Sequence, residues 1–168
     1  MKKKFYIFLD IDGVLNDLTF IKENLDKRNS SIIKIFNPKS VDALNCLLNT
    51  LTTCYEVNLV ISSSWRINMD ETILALKTNK VLLDKISISS TGFISPEKRG
   101  LEILEYLNDK QDSNNYVIID DEYFDFKEYF PSSKIIKTNF YHDPLNLEKV
   151  LSFISSLNLP NDYKKNLP

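Results

Sequence analysis

Four short groups of residues carry the side chains that chemistry needs, and each stands at the edge of an apolar or helical run. The first is Asp10-Ile11-Asp12-Gly13-Val14-Leu15-Asn16, behind Phe5-Tyr-Ile-Phe-Leu9. The second is Ser62-Ser63-Ser64-Trp65-Arg66, behind Val57-Asn-Leu-Val-Ile61. The third is Lys98-Arg99, where a helical pattern begins, and the fourth is Asp120-Asp121, behind Tyr116-Val-Ile-Ile119. Carboxylates gathered in one place raise each other's pKa values, and a divalent cation relieves that crowding. Oxygen-only ligands with no His or Cys beside them favour a hard ion, Mg²⁺ ahead of Zn²⁺. The hydroxyls and a lysine supply donors to an anion. Together these are the equipment of phosphoryl transfer, in which catalysis is mostly positioning and charge stabilisation. Taken singly, each group also has an ordinary reading. Asp-Gly makes turns, serines cap helices, and a lysine at a helix start is usually solvated. The shared order and strand-end placement point to chemistry.

Those groups need a scaffold that delivers them to one edge. Phe5–Leu9 is apolar throughout, as a strand buried on both faces should be. Asn37 with Pro38 opens a helix over about 38–53, with Val41, Leu44, Leu47, Leu48 and Leu51 as its core stripe. Val57–Ile61 is a second strand. Asn68 and Glu71 make a capping-box-like start to a helix through about Asn79. Lys85–Ser89 reads as a third strand, 97–109 as a helix, Tyr116–Ile119 as a fourth strand and Lys134–Lys137 as a fifth. Asp143 before Pro144 starts a last helix to about Leu157. Strand alternating with helix predicts an α/β fold, a five-stranded parallel sheet with helices on both faces. Ligands of such sheets bind outside the carboxyl ends of the strands, where all four groups fall. The expected organisation is one domain over 1–158 and a loosely ordered tail over 159–168.

At 168 residues and 19.5 kDa the chain is long enough for a core without disulfides. Hydrophobic residues at 43% and charged residues at 26% exclude a disordered chain or a coiled coil. A net charge of −2 speaks against a dedicated duplex-DNA binder. Cys46 and Cys54 make no disulfide framework and read as small buried hydrophobes. The basic start and the apolar run up to Leu9 are too short for a signal peptide, and no run approaches a membrane span. A cytoplasmic protein with no membrane contact is expected. His142, the one histidine, reads as a surface or capping residue.

Phe8-Leu-Asp-Ile-Asp-Gly-Val-Leu-Asn16 resembles the first motif of the haloacid dehalogenase (HAD) superfamily, two aspartates one residue apart after a buried strand. Val60–Arg66 is similar to its second motif, Lys98–Ile103 to its third, and Val117–Glu122 to its acidic fourth. The Ser-Ser-Trp-Arg stretch with the later Asp-Asp-Glu resembles a subgroup, the HAD domains of "Swiss Army Knife" RNA repair proteins. The resemblance implies a Rossmannoid three-layer sandwich and a Mg²⁺-dependent phosphatase working through an aspartyl-phosphate. Asp10 would be the nucleophile and Asp12 the general acid and base. Asp10, the Asp12 carbonyl and Asp120 would hold Mg²⁺, with Asp121 as a further ligand. Ser63 would hold the phosphoryl group, with Ser62 as rival. Lys98 would neutralise its charge, with Arg99 as rival. Gly13 would permit the tight backbone turn, and Ser64, Arg66 and Arg99 would line the substrate site. Many relatives have Thr where Val14 stands, although Val is also common there.

The gap at 17–56 holds one evident helix and 67–97 a helix and a strand, all needed by the core, so the protein is expected to be capless. An open site accepts the end of a macromolecule. Together with the RNA-repair resemblance, this favours a phosphorylated RNA or DNA terminus, held by cations among Lys22, Lys27, Arg28, Lys34, Arg66 and Arg99. Trp65 reads as core first and as a base-stacking platform second. A 5′-nucleotidase or small phosphomonoesterase, and a catalytically quiet interaction module of the same fold, are the competing readings.

Overall fold

Residues alternate across a strand, and the first strand uses both faces. Phe5, Ile7 and Leu9 join one apolar cluster, Tyr6 and Phe8 another. The computed structural model describes residues 2–24, 36–157 and 159. Five strands make one sheet: β1 (Lys3–Leu9), β2 (Tyr55–Ile61), β3 (Ser87–Ser90), β4 (Tyr116–Asp120) and β5 (Ile135–Lys137). The order is β3-β2-β1-β4-β5 and every pairing is parallel. The helices are α1 (Leu18–Glu23), α2 (Pro38–Cys54), α3 (Met69–Thr78), α4 (Arg99–Asn108), α5 (Phe126–Tyr129) and α6 (Leu147–Ser156). Short 3₁₀ turns occupy Ser64–Asn68 and Ser132–Lys134.

The sheet lies between two helical layers. The larger cluster packs Val41, Leu44, Leu47, Leu48 and Leu51 of α2, Ala75 and Leu76 of α3, and Val150, Phe153 and Ile154 of α6 against one face. Each fully buried leucine contributes roughly 1.5–3 kcal/mol. The other face carries Ile103 and Leu107 of α4 and Phe126 of α5. This is the expected three-layer α/β sandwich. Asn37 accepts from the Lys39 amide and Asn68 from the Glu71 amide, so both expected caps are present.

Boundaries moved where tertiary structure intervened. β3 starts at Ser87 rather than Lys85, because Lys85 sits at φ 64, outside the strand region. The last helix starts at Leu147, capped by Asn146. Asp143 instead pairs with Lys149 at 2.7 Å and its carbonyl accepts from the Asn139 amide, so residues 139–143 close a loop. Cys46 and Cys54 are free thiols, only half-buried against the core. Of the expected tail, Leu159 is buried and the rest lies outside the described residues, as do Lys27, Arg28 and Lys34. Among the described residues no helix is long and apolar enough to cross a membrane.

Candidate active site

Sheet register builds the site. Leu9 is aligned with Ile61 of β2 and Ile119 of β4, and Ile61 with Ser90 of β3. The next row at the carboxyl edge is therefore Thr91, Ser62, Asp10 and Asp120, across four neighbouring strands. Backbone bonds continue the ladder into this row: Ser62 N donates to Leu9 O at 3.1 Å, Asp10 N to Ile119 O at 3.0 Å and Thr91 N to Ile61 O at 3.1 Å. Period-two alternation puts these side chains on one side of the sheet.

Asp10, Asp120 and Asp121 each bring a carboxylate oxygen within 4.8 Å of the others. Asp10 and Asp120 are buried. Burial, then the charge of Asp120, pushes the Asp10 carboxyl well above the ordinary range, against the pull of Arg99. Burial also raises Asp120, to about 6, although Arg99 and the Glu122 amide oppose it. Asp121 is raised by burial and then by Glu122. Three crowded oxygens with no nitrogen or sulfur among them fit Mg²⁺. Gly13 makes room for this cluster. Its φ is +80, and a Cβ there would collide with the Asp121 carboxylate.

The two third-motif candidates diverge at the start of α4. Arg99 Nη1 lies 2.6 Å from Asp120 Oδ2 and 3.4 Å from Asp10 Oδ1. Its guanidinium stacks 4.3 Å from the centre of the Phe124 ring. Lys98, one residue earlier, is exposed and forms no ion pair with the acids among the described residues. The start of α4 is held from a distance. Asp125 accepts from the Gly100 amide at 2.5 Å and the Leu101 amide at 3.2 Å, serving as a helix cap from 25 residues downstream. A second cation went unnoticed in the sequence. Lys137 ends β5, donates to the Asp121 carbonyl and stands 4.3 Å over the Tyr123 ring. Its strand-end position was the available signal.

The Asp12 carboxylate lies outside the acidic cluster. It accepts from Trp65 Nε1 at 2.8 Å and from Asn16 Nδ2 at 3.1 Å. Trp65 is buried against Phe36, ring centres 5.6 Å apart, so it is a core residue that also holds Asp12. The three serines separate. Ser63 Oγ accepts from the Trp65 amide and caps the 3₁₀ turn. Ser62 is fully buried beside Asp10, its hydroxyl without a partner among the described residues. Ser64 is exposed and lines the cavity with Asp10, Asp12, Arg99, Asp121 and Lys137. Arg66 is pinned. Its Nη1 donates to Glu102 Oε2 at 2.8 Å and to Thr91 Oγ1 at 2.9 Å, and its Nη2 lies 3.3 Å from Glu102 Oε1. Buried Glu102, which also accepts from the Ile94 amide at 2.8 Å, carried no sequence signal, because its partner lies 36 residues away. Exposed Lys22 and His142 make no contact with the cluster among the described residues.

No curated protein and no solved structure matched the chain. A family model did, over residues 6–143, which span all four groups. With its parallel sheet and its aspartates gathered at the carboxyl edge, the chain belongs to the HAD domains found in Swiss Army Knife RNA repair proteins.

Proposed function

We propose that the protein is a Mg²⁺-dependent phosphohydrolase that removes a terminal phosphate from nucleic-acid ends. The observation that carries this reading is the convergence of Asp10, Asp120, Asp121 and Arg99 at one sheet edge. Membership in a family of RNA repair domains supports the substrate class. The Asp10 carboxylate attacks phosphorus, and the bond from phosphorus to the ester oxygen breaks. Asp12 gives that oxygen its proton as the aspartyl-phosphate forms on Asp10. Asp12 then takes a proton from water, whose oxygen attacks the same phosphorus and frees Asp10 and inorganic phosphate. Arg99 takes the charge-neutralising role, since it reaches the acids and Lys98 does not. Ser62, whose buried hydroxyl stands free beside Asp10, serves the phosphoryl oxygen better than Ser63, which is occupied as a cap. Asp10, Asp120, Asp121 and the Asp12 carbonyl would hold Mg²⁺, which when bound neutralises the phosphoryl charge. The site is read as capless. Between β1 and α2 the described residues add only the six-residue α1.

The test is phosphate release from 3′- and 5′-phosphorylated oligonucleotides, mononucleotides and small esters, with Mg²⁺ or with chelator. Release that needs Mg²⁺ and drops to background in Asp10→Asn is expected. If no ester is hydrolysed, or Asp10→Asn is as active as the parent, the reading fails. Faster turnover of mononucleotides than of oligonucleotide ends would make the enzyme a nucleotidase.

A further inference from the structure

A second cavity opens beside the carboxylate site and shares two of its walls, Ser64 and Arg99. At about 630 Å³ it has the size of a small-molecule site. Ile67, Phe93, Pro96 and Phe124 supply its apolar lining. Ile67 is 88% exposed and Phe93 67%, so two large apolar side chains face solvent beside a reaction centre. The two arginines of the wall are already committed. Arg66 is locked by Glu102 and Thr91, and its guanidinium carbon lies 5.2 Å from the centre of the Phe93 ring. Arg99 stacks on Phe124, a residue held at φ 37, outside the backbone region that bulky side chains prefer. Flat guanidinium and aromatic faces held in place by buried partners form a ready stacking surface.

Three cavities meet at Ser64: the carboxylate cavity, a smaller one lined by Asp12, Trp65, Asn68 and Glu71, and this side cavity. The carboxylate cavity is lined by Asp10, Asp12, Asp121 and Glu122 against Arg99 and Lys137, the groups that take metal and phosphate in the proposed reaction, and the smaller cavity carries Asp12 and Glu71 with no cation. The side cavity has Arg66 and Arg99 against Glu102 alone. It is the apolar and more cationic of the three, and it meets the carboxylate cavity at Ser64 and Arg99.

We propose that this cavity is a nucleobase subsite: the nucleoside carrying the scissile phosphate places its unpaired base against Phe93 and Ile67, with Arg66 and Phe124 closing the sides. The substrate class is thus a nucleoside phosphomonoester whose base is free to leave a stack. This rests on the phosphohydrolase reading and adds to it. A phosphotyrosine peptide would also present a flat ring, but the family match to RNA repair domains favours the nucleoside.

The test compares matched oligonucleotides whose phosphorylated terminal nucleoside carries a base or is abasic, at the 3′ and the 5′ end. A mononucleotide, acetyl phosphate and a phosphotyrosine peptide complete the set. Turnover is measured with the parent protein and Phe93→Ala, and binding with the same pair in the Asp10→Asn background. A base preference of about tenfold in kcat/KM and in affinity is expected, the value of one base–aromatic stack, falling toward one in Phe93→Ala. Phe93 is exposed, so its removal leaves the core intact. The oligonucleotide and mononucleotide arms show whether the nucleoside belongs to a strand end or is free. Mg²⁺-dependent turnover with no base preference, or a preference untouched by Phe93→Ala, overturns the subsite and leaves the phosphohydrolase reading standing. Preference for the phosphotyrosine peptide over every nucleotide overturns it as well. Absence of turnover from every phosphate ester and from acetyl phosphate overturns both.

Discussion

In the proposed reaction Asp12 moves a proton and must be aimed, and two donors hold its carboxylate: the Trp65 indole at 2.8 Å and the Asn16 amide at 3.1 Å. Replacing Trp65 by Phe keeps a ring against Phe36 and deletes the first donor. A hydrogen bond to a charged group is worth roughly 1.5–3 kcal/mol, so kcat for phosphate release is expected to fall about tenfold or more, with KM little changed. Steady-state kinetics beside a thermal melt check this, and an unaltered kcat would reduce Trp65 to core packing. From the sequence Trp65 divides between core and stacking platform, because neither reading contains its partner. The bond to Asp12 spans 53 residues and exists only once β1 and β2 are paired. Ser62 and Ser63 show the same limit. They are chemically identical neighbours, and only the register with Leu9 and Ile61 puts the first beside Asp10.

At the scale of elements, α4 must enter at the right angle for Arg99 to reach the acids. That entry depends on Gly100 lying close to Asp125. In an ordinary helix, Gly→Ala gains about 1 kcal/mol from propensity. Here an alanine Cβ would stand 2.7 Å from Asp125 Oδ1 and 3.1 Å from the Asp125 carbonyl carbon. Moving the carboxylate away would cost the two amide bonds that cap the helix. Gly100→Ala is therefore expected to destabilise by roughly 1–3 kcal/mol in urea unfolding, and to lower activity through Arg99. A gain in stability would show the cap to be slack. The helix itself was legible from the spacing of Leu101, Leu104, Tyr106 and Leu107, although its buried face is Ile103 with Leu107; its distant cap was not.

For the molecule as a whole, the crowded acids couple stability to pH. Asp120 rises from 3.8 to about 6, mainly through burial. A group whose folded pKa exceeds its unfolded value binds its proton more tightly in the fold. Its favourable contribution is complete below the unfolded pKa and is lost as pH rises through the folded one. Two pKa units correspond to on the order of 3 kcal/mol. In chelator, the melting temperature is expected to rise as the pH is lowered from about 7 to about 5. Mg²⁺ added at neutral pH should raise it by mass action, and Asp10→Asn should raise the metal-free value while weakening the Mg²⁺ effect. Thermal melts over pH with and without Mg²⁺ measure this, and a metal-free melting temperature that falls toward pH 5 contradicts the crowding.

The amino-acid sequence by itself determined the alternation of strand and helix, the caps at Asn37 and Asn68, the faces that pack, and the arrival of Asp10, Ser62 and Asp120 at strand ends. These follow from short periodicities and neighbouring residues, which a chain carries locally. Tertiary structure decided what periodicity cannot. Arg99 rather than Lys98 enters the site because one residue along a helix is a turn of about 100°, and the docking of α4 on Asp125 sets that angle. Arg66 of the 3₁₀ turn meets Glu102 of α4, and Lys137 at the end of β5 meets the Asp121 carbonyl, only between elements separated along the chain. Pairs of this kind leave no spacing to read, since their partners become neighbours only when the sheet closes.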